Sequence, residues 1–230
     1  MGMLGAARHP SEPVVPGGHP VPPRRLRVVP IPAVRAPRFS DTAAVYRVCF
    51  ETGPDVAEAA VRRPTPELLG HVYAGPYLAF APEWCRVVVD AQGVAGYLLA
   101  VPSTAAFERW AEAEWWPPLR DDHPVDAPGL SPADRRVVGI IAHPQAPPDA
   151  VVAHHPAHLH IDFLDRLRGR GFARTLIDDL VGRLRTHGVP GVHLGVDPAN
   201  TNAIGLYDHL GFEELDRGEG VIWMGRRTRD

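Results

Sequence analysis

Hydrophobic and polar positions alternate most cleanly in AHLHIDFL, where Leu159, Ile161 and Phe163 point one way and His158, His160 and Asp162 the other. That period of two predicts a β-strand over 158–164. The period then changes. Leu176, Ile177, Leu180, Val181 and Leu184 fall on one helical stripe, which predicts an amphipathic helix over 172–187, closed by Gly188 and Pro190. GVHLGV at 191–196 reads as the next strand, NAIGLYDHLGF as a helix ending at Gly211, and GVIWMGRR as a last strand. Strand, helix, strand in this order implies a crossover unit.

Upstream, Ile31 to Ala36 is an expected strand in which Pro32 points to a sheet edge. Ser40 or Asp41 opens a helix with Val45, Val48 and Cys49 at helical spacing, ended by Gly53. A hairpin follows: strand 86–90, a turn around Gln92-Gly93, and strand 94–101. Ser103 caps a short helix carrying Trp110, Trp115 and Trp116, expected to stop at Pro117. Residues 118–157 are proline-rich with no strand signal, and contain a helix, SPADRRVVGIIAHP, with proline at its first position. So long a strand-free insertion reads as functional cover rather than bare linker. Residues 1–25 are rich in proline and glycine and are expected to form a disordered arm, leaving 26–230 as a single α/β domain.

Composition narrows the function. The formal net charge of -3 offers no basic field for nucleic acid, and no nucleic-acid partner is expected. All 24 basic residues are arginine, so a single arginine carries little information here. The two cysteines, Cys49 and Cys85, have no metal-like spacing, and a reducing compartment is the default. No apolar run is long enough to span a membrane, and prolines and glycines interrupt the N-terminal stretch where a signal peptide would need an apolar core. The expectation is a cytoplasmic protein without a membrane partner. His154, His155, His158 and His160 lack a closed ligand geometry on a strand, so no metal is expected.

The candidate chemistry lies between the strand and the amphipathic helix, in Arg168-Gly169-Arg170-Gly171-Phe172-Ala173. A strand–turn–helix junction offers an anion the free N–H groups and positive dipole of the first helical turn, and glycine lets the backbone come close. The glycines do not fit GxGxxG, and a chain without lysine has no GxxxxGK[ST]. Arg168-x-x-Gly171-x-Ala173 instead resembles the pyrophosphate loop of the GNAT family of N-acetyltransferases, and Asn200 to Phe212 resembles that family's late N-x-x-A-x-x-x-Y-x-x-x-G-F segment. HVYAGPYL at 71–78, the Trp115-Trp116 pair and HPAHLHID at 155–162 resemble the acetyltransferase-like domain attached to O-GlcNAcases and its stand-alone bacterial relatives.

The resemblance implies a mixed, mostly antiparallel sheet, splayed between its two central strands to admit acetyl-CoA and flanked by helices on both faces. It implies that the backbone of Phe163, Leu164 and Asp165 holds the pantetheine. Arg168 and the N–H groups of Gly169, Arg170, Gly171, Phe172, Ala173 and Arg174 would hold the pyrophosphate. Many relatives carry proline where this chain has Asp165, whose carboxylate must turn to an arginine to tolerate a polyanion. Asn200 and Ala203 would contact the cofactor, with helix capping the alternative for Asn200. Tyr207 would protonate the departing thiolate, or else pack as an ordinary core tyrosine. Homodimers are common in that family.

Direct attack by an amine needs a neutral nitrogen and hence a base. Asp162, nearest the thioester end of its row, would either act as that base with a raised pKa or stay ionised and hold the ammonium group. His160, Tyr77, Trp115 and Trp116 are candidates for the acceptor pocket, against the commoner roles of satisfied histidine and core aromatic. Two functions remain open: an acetyl-CoA-dependent N-acetyltransferase acting on a small-molecule or peptide amine, and a catalytically weak or inactive acyl-CoA-binding module.

Overall fold

The computed structural model describes residues 31–53 and 66–229. The expected N-terminal arm, residues 1–25, lies outside the described residues. A seven-stranded sheet runs through the molecule in the order β1-β2-β3-β4-β5-β7-β6. The strands are β1 (Ala33–Arg35), β2 (Arg86–Asp90), β3 (Gly93–Val101), β4 (Ala157–Phe163), β5 (Gly191–Val196), β6 (Glu213–Gly218) and β7 (Val221–Arg227). Every neighbouring pair is antiparallel except β4 and β5. This is the mixed, mostly antiparallel sheet that the resemblance implies.

Helices cover both faces. On the face carrying Tyr97 and Asp162 lie α1 (Thr42–Thr52), α2 (Glu67–Tyr73), α3 (Gly75–Phe80) and α4 (Thr104–Trp110), followed by α5 (Trp116–Asp122), α6 (Pro132–Ala142) and α7 (Asp149–His154). On the Phe163 face lies α8 (Phe172–Thr186), the crossover helix, whose Phe172 ring stands 6.5 Å from that of Phe163. All five residues of its expected stripe are buried, each contributing about 2 kcal/mol of transfer free energy. α9 (Thr201–His209) precedes the final hairpin.

Three features depart from the expected elements. The chain does not stop at Pro117. It winds as a π-helix over Ala111–Trp115 and re-enters α5 with Pro117 and Pro118 in the first turn, where a missing N–H breaks no bond. β6 was not expected, because an exposed edge strand of sequence EELDRG has no apolar face to announce it. Nor were the short helices α2 and α3, which are held by tertiary contacts: a Cβ at Gly70 would collide with the Tyr46 ring, and one at Gly75 with Trp115.

Histidines form an unusual share of the core around the closed end of β4 and β5. His155, 5% exposed, wedges against Gly191 and Gly225, where any Cβ would strike its ring. Its carbonyl meets Nδ1 of His193 at 2.6 Å. Burial pushes His71, His155, His158 and His193 below the usual histidine range, and His160 down to about 4.

A lowered folded-state pKa gives stability that is present above the unfolded value and lost as pH falls through the window beneath it. By pH 5, His160 alone costs about 2 kcal/mol relative to neutral pH. The raised carboxyl of Asp162, at about 6, opposes this by about 1 kcal/mol. The melting temperature is therefore expected to drop by about 3 °C between pH 7 and pH 5, with a shallower slope in His193→Asn. A thermal scan across this range checks it, and an unchanged or higher melting temperature at pH 5 contradicts it.

Candidate functional site

β4 and β5 pair at only two positions, Ala157 with Val192 and His158 with His193. Beyond these rungs the two strands continue without pairing to each other. The other edge of β4 stays bonded to β3 as far as Phe163, and the Leu164 N–H adds a bond to the Ala95 carbonyl at 2.9 Å. Strand backbone groups alternate sides, so with Leu164 turned to β3 the N–H and C=O groups of Leu159, Ile161 and Phe163 point into the gap. Of the three residues expected along the pantetheine, Phe163 therefore offers its backbone to the gap. Leu164 does not, since its N–H goes to Ala95 and its carbonyl accepts from Leu167 at 2.8 Å. Ile161 was missed in the sequence, because which strand edge opens depends on where β4 and β5 part.

At the end of β4 the chain turns through Gly169, at φ +70°, and Gly171, at φ +79°. A Cβ at either would meet nothing within 4 Å, so glycine serves the left-handed backbone and not packing. The N–H groups of the first turn of α8 have no helical acceptors, and Arg168, Arg170 and Arg174 stand exposed around them. Asp165 turns to Arg168 at 3.1 Å. Arg166 ties the turn to Asp90 of β2 at 2.6 Å. Phe172 and Ala173 pack partly against the core.

Tyr97 and Asp162 are register partners across β3 and β4, and the buried Tyr97 hydroxyl donates to Asp162 Oδ2 at 2.6 Å. Burial pushes the Asp162 carboxyl up to about 6, against the opposing pull of Tyr97, Thr52 and the Arg168 charge. Tyr207 on α9 lies near enough to respond. Its phenol is raised first by burial and then by the Asp162 charge. The Asp162 charge thus acts on a residue read from a separate motif. Asn200 caps α9, its Oδ1 accepting the Ala203 N–H at 3.1 Å.

On the Asp162 face a cavity of about 530 Å³ lies beneath α4 to α6 and residues 144–147, and it reaches β5 and β7. Tyr77, Trp116 and His160 line it. Trp115 packs elsewhere: its indole N–H donates to the His71 carbonyl at 2.9 Å and its ring lies against Gly75. His158 forms the floor, with Nε2 at 2.8 Å from the Tyr77 hydroxyl and Nδ1 at 2.7 Å from Thr104 Oγ1. Thr104 in turn donates to the Pro156 carbonyl at 2.9 Å. This assigns the Nδ1–H tautomer, donating to Thr104 and accepting from Tyr77, so His158 is neutral and satisfied. His160 makes edge contacts to Tyr73, Tyr77 and His158, with ring centroids 5.6, 5.1 and 6.4 Å away. Tyr97, Phe107 and Glu108 were not singled out in the sequence, because cross-strand register and the docking of α4 bring them here.

Among the described residues no helix is long and apolar enough to cross a membrane, and no group of three or more His, Cys, Asp or Glu is placed to hold a metal.

Comparison with known proteins agrees with this geometry. The model of the acetyltransferase (GNAT) family matches residues 93–212, from β3 through α9. Protein O-GlcNAcase of Rattus norvegicus is 24% identical over 192 residues, which cover 81% of this chain and 21% of that protein. The chain thus spans about a fifth of the length of that curated relative. The crystal structure of SsHAT superposes with a TM-score of 0.77 at 35% identity, covering 87% of this chain and all of the other. PH1933 from Pyrococcus horikoshii, at 11% identity and a TM-score of 0.55 over 86% of this chain and 98% of its own, shares the fold. With more than half its length matched by the family model and a full-length structural relative above 30% identity, the chain belongs to the GNAT acetyltransferase family.

Proposed function

We propose that this protein is an acetyl-CoA-dependent N-acetyltransferase that passes the acetyl group directly to an amine in a ternary complex. The family acts generally by acetyl-CoA-dependent acyl transfer. The observation that carries the reading here is the unpaired edge of β4, which leads from the left-handed glycine turn back past Asp162. The residues present suit the group: open space above Gly169 and Gly171, free first-turn N–H groups and three exposed arginines fit a pyrophosphate. The gap-facing backbone of Ile161 and Phe163 fits an extended amide-bearing arm. When bound, the cofactor supplies an activated acetyl thioester.

Asp162 takes the proton from the attacking amine as the C–N bond forms, and the Tyr207 hydroxyl gives one to the sulfur as the C–S bond breaks. Proton transfer is most effective when the base titrates near the working pH, and a carboxyl at about 6 meets this better than His160 at about 4. The Tyr97 hydroxyl holds the Asp162 carboxylate in place. A phenol with a raised pKa keeps its proton at neutral pH and stays a donor. Transfer by orientation asks no covalent step of the protein.

Acetyl-CoA at 100 times its dissociation constant should stabilise the fold by about 2.7 kcal/mol, read as a rise in melting temperature. A Gly171→Val variant, which must hold a β-branched residue at positive φ, should lose most of that rise. No rise with the wild-type protein at millimolar acetyl-CoA contradicts the proposal.

In a thiol-release assay with a panel of amines, Tyr207→Phe should lower kcat by about 10²-fold and Asp162→Asn by 10²-fold or more. Wild-type kcat/KM should fall as pH drops below about 6, where Asp162 is protonated, and Asp162→Asn should lose that limb. Full activity in both variants would overturn the assignment of roles.

A further inference from the structure

The cavity beside the gap has a marked charge bias. Among the described residues its lining includes three carboxylates, Glu108, Glu112 and Asp197, and no arginine, and the chain has no lysine. Two of the three are occupied. Arg120 holds Glu112 through two bonds at 2.6 and 2.8 Å. Asp197 is exposed, and its Oδ1 accepts the Ala199 N–H at 2.8 Å.

Glu108 differs. It is half-buried on α4, and its carboxylate has neither an ion pair nor a hydrogen bond among the described residues. Burial and the like charge of Asp149 push its carboxyl above the usual range. A carboxylate partly stripped of water beside another negative charge is unfavourable until a cation arrives.

Its surroundings define the rest of the ligand. Tyr73, Phe107 and Trp116 form aromatic walls, which suit a flat or apolar body and add cation–π attraction. Glu108 stands one helical turn, about 6 Å, beyond Thr104, and Thr104 bonds His158 on the floor. Glu108 thus stands about a helical turn from the residue bonded to His158, the last rung before β4 and β5 part. A volume of about 530 Å³ is that of a small-molecule site.

We infer that the acceptor is a compact diamine: a primary amine on an aromatic or apolar body that carries a second cationic group, which Glu108 binds while the first amine faces the gap. This rests on the acyl-transfer reading of the gap and adds the chemical class of the acceptor, with Glu108 as its specificity determinant.

Three compounds sharing one body separate the possibilities: 4-(aminomethyl)benzylamine, 4-methylbenzylamine and 4-(aminomethyl)benzoate. Binding to the CoA-saturated protein is read by calorimetry, and turnover by thiol release from acetyl-CoA. The diamine should exceed the methyl compound by about tenfold in affinity and in kcat/KM, and the carboxylate compound by more. Glu108→Gln should bring the diamine down to the methyl compound through KM, leave the methyl compound within about twofold, and keep the stabilisation by acetyl-CoA. Glu108→Arg should shift preference to the carboxylate compound. Equal binding of the diamine and the methyl compound by the wild type, or a diamine preference that survives in Glu108→Gln, would overturn the inference. If acetyl-CoA stabilises the protein but none of the three compounds binds, the acceptor class falls while the acyl-transfer reading stands. If acetyl-CoA has no effect, the acyl-transfer reading falls, and calorimetry on the free protein still tests Glu108.

Discussion

Between β4 and β5 the hydrogen-bonded ladder ends after His158 and His193, and most of the molecule is arranged around that interruption. A strand edge inside a sheet leaves N–H and C=O groups without partners, an unfavourable state unless water or a ligand meets them. The closed end is pinned so that the open end can stay open. His155 fills the space over Gly191 and Gly225, and its carbonyl holds His193. At the open end the chain cannot continue as strand; it turns through two left-handed glycines and directs the start of α8 to where β4 leaves off. The unpaired edge and the helix N-terminus thus form one continuous polar surface.

Burial then sets the chemistry on either side of this surface. Carboxylate and imidazole respond to it in opposite directions: Asp162 is pushed up towards neutrality while the histidines are pushed down and stay uncharged. At neutral pH the face lining the cavity therefore carries carboxylates and aromatic surface, with no arginine among the described lining residues. The proline-rich insertion completes that face, because Ile140 and residues 144–147 form part of its wall. Its lack of strands follows from this position, over the sheet and not within it.

Several elements were legible because local chemistry and tertiary environment agree. The alternation in β4, the stripe of α8 and the hairpin at 86–101 each carry their own signal, and each appears within a residue or two of its expected bounds. Where the signal was tertiary, local patterns were silent or misleading. β6 has no buried face, α2 and α3 depend on Tyr46 and Trp115, and Pro117 reads as a stop although it begins a new helix.

The same division runs through the site. The sequence by itself determined the glycine turn and the row of His158, His160 and Asp162, because backbone freedom and strand period are local properties of the residues that carry them, while Tyr207 was singled out by the resemblance of its segment to the family motif. Only the tertiary structure decided which of these meet. The register of β3 against β4 gives Asp162 its Tyr97 partner, and the packing of α4 closes His158 into a satisfied chain. It also sends Trp115 to His71 and leaves Glu108 facing the cavity without a counter-ion among the described residues. Those outcomes depend on distances between residues far apart in the chain, and a local pattern carries no information about them.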